Sequence, residues 1–259
     1  MPIALNYHDT GGDGTPLVVI HGLLGSADNW RSHVKQWQAG RRVIAVDLRN
    51  HGRSPHAAGM AYEAQAGDVL ALLDRLDVPR LHLLGHSMGG KVAISIARLA
   101  PERVASLIVA DIAPQAYGHG HDAVFAALRR VEAGRPANRR EADALLAEHV
   151  EDRGTRLFLA TNLARGEDGR LRLRIGLDEI EGDYEAIMAA PAGEGAFEGP
   201  TLVVRGARSR YVTDAMLPAL REVLPSAEVE TLDAGHWLHA ESPEAFQAVV
   251  NAFLSRQSD

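Results

Sequence analysis

The sequence predicts an α/β fold in which an open sheet carries helices on its faces, and three observations predict it. Short apolar runs at residues 17–20, 43–46, 81–84, 104–110 and 201–204 alternate with stretches of helical periodicity. A Gly-x-Ser-x-Gly sequence, Gly85 to Gly89 with Ser87 at its centre, falls where one apolar run gives way to a helix pattern. Strand signals are missing over residues 114–198, and the strand–helix alternation resumes at Thr201. The core is therefore expected in two sequence pieces, residues 1–113 and 199–259, with a helical cap over residues 114–198 between them.

Taken in order, residues 3–8 alternate as an edge strand does, and TGGDGTP is a turn. The apolar strand at 17–20 ends in HGLLGS, whose glycines let backbone amides face a ligand. The N–H of Leu23 is thus a candidate oxyanion donor, and a plain loop entering a helix capped by Ser26 is the competing reading. Residues 28–38 carry Trp30, Val34 and Trp37 at helical intervals. The strand at 43–46 runs into DLRNHGRSP, where His51 and Arg53 read as part of a turn held by Asn50, Gly52 and Pro55 rather than as catalytic groups. An amphipathic helix over residues 62–76 follows, through Ala66, Val69, Leu70 and Leu73.

Next comes LHLLGHSMGGKVAISIARL. Its glycines permit a cramped strand-to-helix turn that pushes the Ser87 hydroxyl out above the sheet. The helix start supplies the N–H of Met88 and a positive dipole end beside that hydroxyl. The order Gly-x-Gly-x-x-Gly is absent there, which argues against a dinucleotide site. The strand at 104–110 delivers Asp111 to the rim where reactive groups gather in open α/β sheets, though a capping role at the next turn would also explain it. The stretch 114–198 shows helical patterns at 122–132, 139–150, 155–163 and 177–189, with apolar faces that need a surface to cover. Beyond the strand at 201–204, the final strand at 228–232 leads into DAGHWLH and a helix at 243–254.

At 259 residues the chain is long enough for one large domain with a sizeable core. A formal charge of −7 argues against nucleic acid as a partner and offers no basic face to anionic membranes. There is no cysteine, hence no thiol nucleophile and no thiolate metal site. No apolar stretch approaches the 18 or so residues of a membrane span, and the first residues lack the pattern of a signal segment, so a cytoplasmic protein is expected.

A serine hydroxyl is a poor nucleophile unless a base takes its proton and a carboxylate orients the base. Ser87, Asp111 and His236 supply those three groups in the chain order serine, acid, histidine. His239 reads as a structural or pocket residue.

Over nearly its whole length the sequence resembles the α/β-hydrolase superfamily, on HGLLGS, DLRNHGRSP, GHSMGGK and GHWLHAE. RNHGRSP, GHSMGGK, DIAP and SRYV are most like the YbfF-type esterases, which act on acyl esters and thioesters. The resemblance implies an eight-stranded, mostly parallel sheet with a helical cap, no cofactor, and a covalent acyl-enzyme formed from a small-molecule ester or thioester. It assigns the nucleophile to Ser87, the base to His236 and the oxyanion donors to the amides of Leu23 and Met88.

One slot departs from the superfamily. Many members carry the acid in Gly-x-x-Asp after the strand at 201–204, and here Ser209 stands in that place. Asp111 holds the alternative position known in the superfamily, and Asp214 is the second candidate. Carbon–carbon bond hydrolases and cofactor-free haloperoxidases keep the same serine, and a noncatalytic receptor could use the same scaffold. Arg205, Arg208 and Arg210 are expected to face solvent, with contact to an anionic leaving group such as coenzyme A as the alternative.

Overall fold

A computed structural model describes residues 1–257. Its main sheet contains β1 (Tyr7–Asp9), β2 (Leu17–Ile20), β3 (Val43–Val46), β4 (Leu81–His86) and β5 (Val104–Ala110). A separate hairpin pairs β6 (Leu163–Arg165) with β7 (Leu171–Leu173), and β8 (Thr201–Gly206) and β9 (Ala227–Leu232) complete the main sheet. The spatial order is β1-β3-β2-β4-β5-β8-β9, parallel throughout except for β1, which runs antiparallel to β3.

The central strands are apolar at nearly every position because both faces are covered. Their side chains alternate: Val18, Ile44, Leu83 and Val109 point into one core, and Leu17, Val43, Leu84 and Ile108 into the other. Helices α2 (Tyr62–Arg75) and α3 (Met88–Leu99) cover the first face. The second is covered by Trp30, by α1 (Arg31–Trp37) through Val34 and Trp37, and by α11 (Pro243–Leu254) through Phe246, Val250 and Phe253.

Between β5 and β8 lie α4 (Asp122–Gly134), α5 (Arg139–Leu146), α6 (Arg153–Leu159), the β6–β7 hairpin, α7 (Leu177–Gly182) and α8 (Tyr184–Met188). Phe125, Leu128, Leu146 and Ile180 from these helices join the same buried cluster as α2 and α3. Two short helices, α9 (Leu217–Val223) and α10 (Leu238–Glu241), flank β9. Among the described residues no helix is long and apolar enough to cross a membrane.

Four expectations need correction. The main sheet has seven strands among the described residues rather than eight, and the first strand is confined to Tyr7–Asp9. Preceding backbone groups are satisfied elsewhere: Ile3 N–H donates to Asp68 Oδ1 at 2.8 Å and Asn6 N–H to Ser54 Oγ at 2.8 Å. The expected helix at 28–38 is a 3₁₀ turn over Ala27–Trp30 that passes into α1. The stretch 114–198 is not purely helical, since Leu163 and Leu171 sit in buried strand positions of the hairpin.

Candidate active site

The parallel order places the C-terminal ends of β2, β4 and β5 side by side, so the loops carrying Leu23, Ser87 and Asp111 emerge together. Ser87 has φ 54° and ψ −121°, a conformation that an L residue holds only under constraint. The constraint is steric. A Cβ on Gly85 would lie 2.1 Å from the carbonyl oxygen of Gly89, and one on Gly89 would lie 2.3 Å from that of His21. With both glycines in place, the elbow closes and α3 starts directly beneath the Ser87 hydroxyl.

β9 is separated from β5 by β8, so its loop must cross β8 to reach the elbow. Gly206 permits this, because a Cβ there would meet the carbonyl oxygen of Gly235 at 2.3 Å. The Arg208 N–H donates to Ala234 O at 3.0 Å, and Nε2–H of His86 donates to the carbonyl of His236 at 2.8 Å. The loop is thereby tied to β8 and to the elbow itself.

Ser87, His236 and Asp111 meet. His236 Nε2 is 2.9 Å from Ser87 Oγ, and His236 Nδ1 is 2.7 Å from Asp111 Oδ2. The buried carboxylate of Asp111 accepts the Nδ1 proton, which leaves Nε2 bare to accept from the serine hydroxyl. The other Asp111 oxygen accepts from Gly206 N–H at 3.0 Å. Asp214 is elsewhere, exposed and paired with Arg205 at 2.7 Å.

Ser209 is a contributor that sequence reasoning missed. Its hydroxyl donates to Asp111 Oδ2, so the slot that lacks an acid contributes a hydrogen bond to the acid supplied by β5. Two residues on, the Tyr211 ring stacks on His236 with centroids 4.0 Å apart. Tyr117 fixes that segment by donating to Tyr211 O at 2.6 Å while accepting from Ala113 N–H at 2.8 Å. The hydroxyl residue standing in the acid slot itself is the one signal that could have revealed it.

Met88 opens α3, and the first N–H groups of a helix have no acceptor within it. Leu23 stands opposite in the loop after β2, and both residues line the space in front of Ser87. That loop is held by two buried histidines. Leu24 N–H donates to His51 Nε2 and Leu48 N–H to His21 Nε2, each at 3.0 Å, while the Nδ1–H groups donate to carbonyls. Burial, reinforced by neighbouring His21, pushes His51 down to about 3, so its Nε2 stays an acceptor. The expected turn function of His51 is met by this staple, and Arg53 lies on the surface beside Asp28.

Two chambers meet at Ser87. One, of about 720 Å³, is lined by Met88, Tyr62, Lys91, Tyr117, Ile187 and Arg210, and the other, of about 580 Å³, by His236, Trp237, Phe158, Val124 and His239. His239 is buried against Trp30, with ring centroids 4.4 Å apart. Arg208 faces solvent as expected and pairs with Asp233, Arg205 is half-buried and pairs with Asp214, and Arg210 is exposed at the border of the first chamber. Among the described residues no group of three or more His, Asp or Glu could hold a metal ion.

A seven-stranded, mostly parallel sheet with a serine elbow, a histidine after the last strand and an acid at a neighbouring strand end defines a hydrolase architecture. The model of the alpha/beta hydrolase fold matches residues 15–243, and the chain belongs to that family. Within it the protein is like the YbfF-type esterases. It is 32% identical to esterase YbfF of Escherichia coli, over 97% of this chain and 96% of that one. The sn-1-specific diacylglycerol lipase ABHD11 of Danio rerio is 37% identical over 98% of this chain and 83% of its own length. A solved marine microorganism esterase superposes with a TM-score of 0.93 at 36% identity, covering 97% of this chain and 99% of its own.

Proposed function

We propose that this protein is a serine carboxylesterase that cleaves small-molecule acyl esters or thioesters through an acyl-enzyme. The observation that carries the proposal is the continuous hydrogen-bonded chain from Ser87 through His236 to Asp111. The relatives named as esterases and lipases support the choice of an ester carbonyl as the target.

In the first step Ser87 Oγ attacks the carbonyl carbon while His236 Nε2 takes the serine proton. Asp111 holds the ring tautomer and stabilises the resulting cation. The N–H groups of Leu23 and Met88 receive the charge that develops on the carbonyl oxygen. His236 then gives its proton to the leaving oxygen or sulfur, and in the second step takes one from water, which attacks the acyl-enzyme.

Only the second chamber is bordered by His236, so the leaving group belongs there and the acyl group in the first, beside Met88 and Leu23. Residues 114–198 act as the cap over both, contributing Tyr117, Val124, Phe158 and Ile187 to the chamber walls. The test is a pre-steady-state experiment with p-nitrophenyl acetate. A burst of p-nitrophenol equal to the enzyme concentration supports the acyl-enzyme, provided that deacylation is the slower step. Absence of any acyl adduct by mass spectrometry after rapid acid quench would refute it.

A further inference from the structure

Lys91 is one of two lysines in the chain and is almost completely buried, 2% exposed, on the nucleophile helix one turn beyond Ser87. Its backbone N–H donates to Ser87 O at 3.1 Å, so the side chain issues from the same turn as the elbow. Nζ donates to the carbonyls of Ala189 at 2.6 Å and Met188 at 3.2 Å, and lies 4.8 Å from the Tyr117 ring centre and 5.4 Å from that of Tyr62. Two of the three ammonium protons are thus engaged. The side chain borders the acyl chamber, and no Asp or Glu borders it with Lys91.

A cation desolvated in this way is costly unless something compensates it. Two carbonyl dipoles and two aromatic faces supply part of that compensation. Among the described residues no Asp or Glu lines the chamber: the rings against Nζ are those of Tyr62 from α2 and Tyr117 from the loop after β5, both held protonated by burial, and the other titratable groups on its walls are His119, His121 and Tyr211. Burial alone pulls the ammonium down to about 8, so it is charged at neutral pH. Arg210 adds a second positive group at the border of the chamber.

We infer that Lys91 is a specificity-determining residue whose ammonium receives an anionic far end of the acyl group, so that the preferred substrates are half-esters or half-thioesters of dicarboxylic acids. This rests on the proposed acyl transfer at Ser87 and deepens it by naming the acyl class. The bond broken and the leaving group are those of a neutral ester; only the distal end of the acyl chain differs. The third Nζ proton goes to a carboxylate oxygen in a chamber that also presents Arg210, His119 and His121 and holds no acidic side chain among its lining residues.

The experiment compares monoethyl esters of dicarboxylic acids from four to eight carbons with ethyl esters of the monocarboxylic acids of equal length, in the wild-type protein and in Lys91→Met. At one chain length the wild type should favour the half-ester at least tenfold in kcat/KM, and Lys91→Met should lower that ratio at least tenfold. The wild-type ratio should also fall as pH passes through about 8, where the ammonium titrates. A wild-type ratio below one at every length, or a ratio unmoved by Lys91→Met, overturns the inference. Should Lys91→Met not fold, inhibition of the wild type decides: adipate competing more tightly than hexanoate supports the inference, and equal weak inhibition overturns it. Hydrolysis of neutral esters with half-esters refused would sink this inference alone. Failure on both series together with no fluorophosphonate adduct on Ser87 would sink the underlying esterase reading.

Discussion

The hydroxyl of Ser209 donates to Oδ2 of Asp111, the same oxygen that faces Nδ1 of His236. The strand-end slot that carries the acid in many family members thus supports an acid delivered by the neighbouring strand. Removing the hydroxyl in Ser209→Ala leaves the carboxylate one donor short and free to tilt. A hydrogen bond to a charged group contributes about 1.5–3 kcal/mol. If about half of that bears on the transition state, kcat falls roughly three- to tenfold with little change in KM. Steady-state kinetics on a p-nitrophenyl ester check this, and an unchanged kcat would show that the contact is incidental.

The two acid candidates separate sharply in their surroundings. Asp111 is fully buried behind His236, whereas Asp214 lies exposed in an ion pair with Arg205. Asp111→Asn reverses the tautomer preference of His236 and should lower kcat by about 10⁴-fold. Asp214→Asn should stay within about twofold, since an exposed ion pair contributes little. Equal losses in the two variants would reopen the assignment.

His51 bears on the oxyanion loop through one bond, the acceptance of Leu24 N–H at 3.0 Å. Leu24 has φ 61°, so the loop turns sharply where that bond holds it. His51→Leu buries the N–H without an acceptor, which costs about 1–3 kcal/mol of stability. It should also lower kcat by releasing the adjoining Leu23 amide. Urea denaturation and ester kinetics on the same preparation check both outcomes; loss of stability with kcat intact would separate the loop from catalysis.

His239 predicts a pH dependence of stability. Burial, with His33 and His236 nearby, lowers it from 6.5 to about 3, so between those values the unfolded chain binds a proton that the native chain refuses. Stability contributed by this residue is therefore complete above pH 6.5 and is lost as pH falls toward 3. Each pH unit in that window corresponds to about 1.4 kcal/mol for one proton, or about 2 kcal/mol between pH 6.5 and 5. The difference in unfolding free energy between pH 7 and pH 5 should be smaller by about that amount in His239→Phe. An identical pH difference in wild type and variant would contradict the buried neutral state.

Much of this arrangement is legible in the sequence because it rests on local constraints. The elbow needs Gly85 and Gly89 where a Cβ has no room, and the central strands need unbroken apolar runs because both faces are covered. The late start of the first strand is not legible, since Asp68 and Ser54 bind the backbone of Ile3 and Asn6 just before it from far along the chain. Nor were Ser209, Tyr211 and Lys91 as parts of one site, because side chains brought together by loop crossings carry no periodic signal. The β6–β7 hairpin escaped because three-residue strands are too short to show alternation.

The role of Ser87 as nucleophile is decided by treating wild-type protein and Ser87→Ala with a fluorophosphonate, followed by intact-mass measurement and peptide mapping. One adduct per wild-type chain, located on Ser87, with neither adduct nor ester hydrolysis in Ser87→Ala, is the predicted result. An adduct on another residue, or turnover of the ester by Ser87→Ala at the wild-type rate, would contradict it.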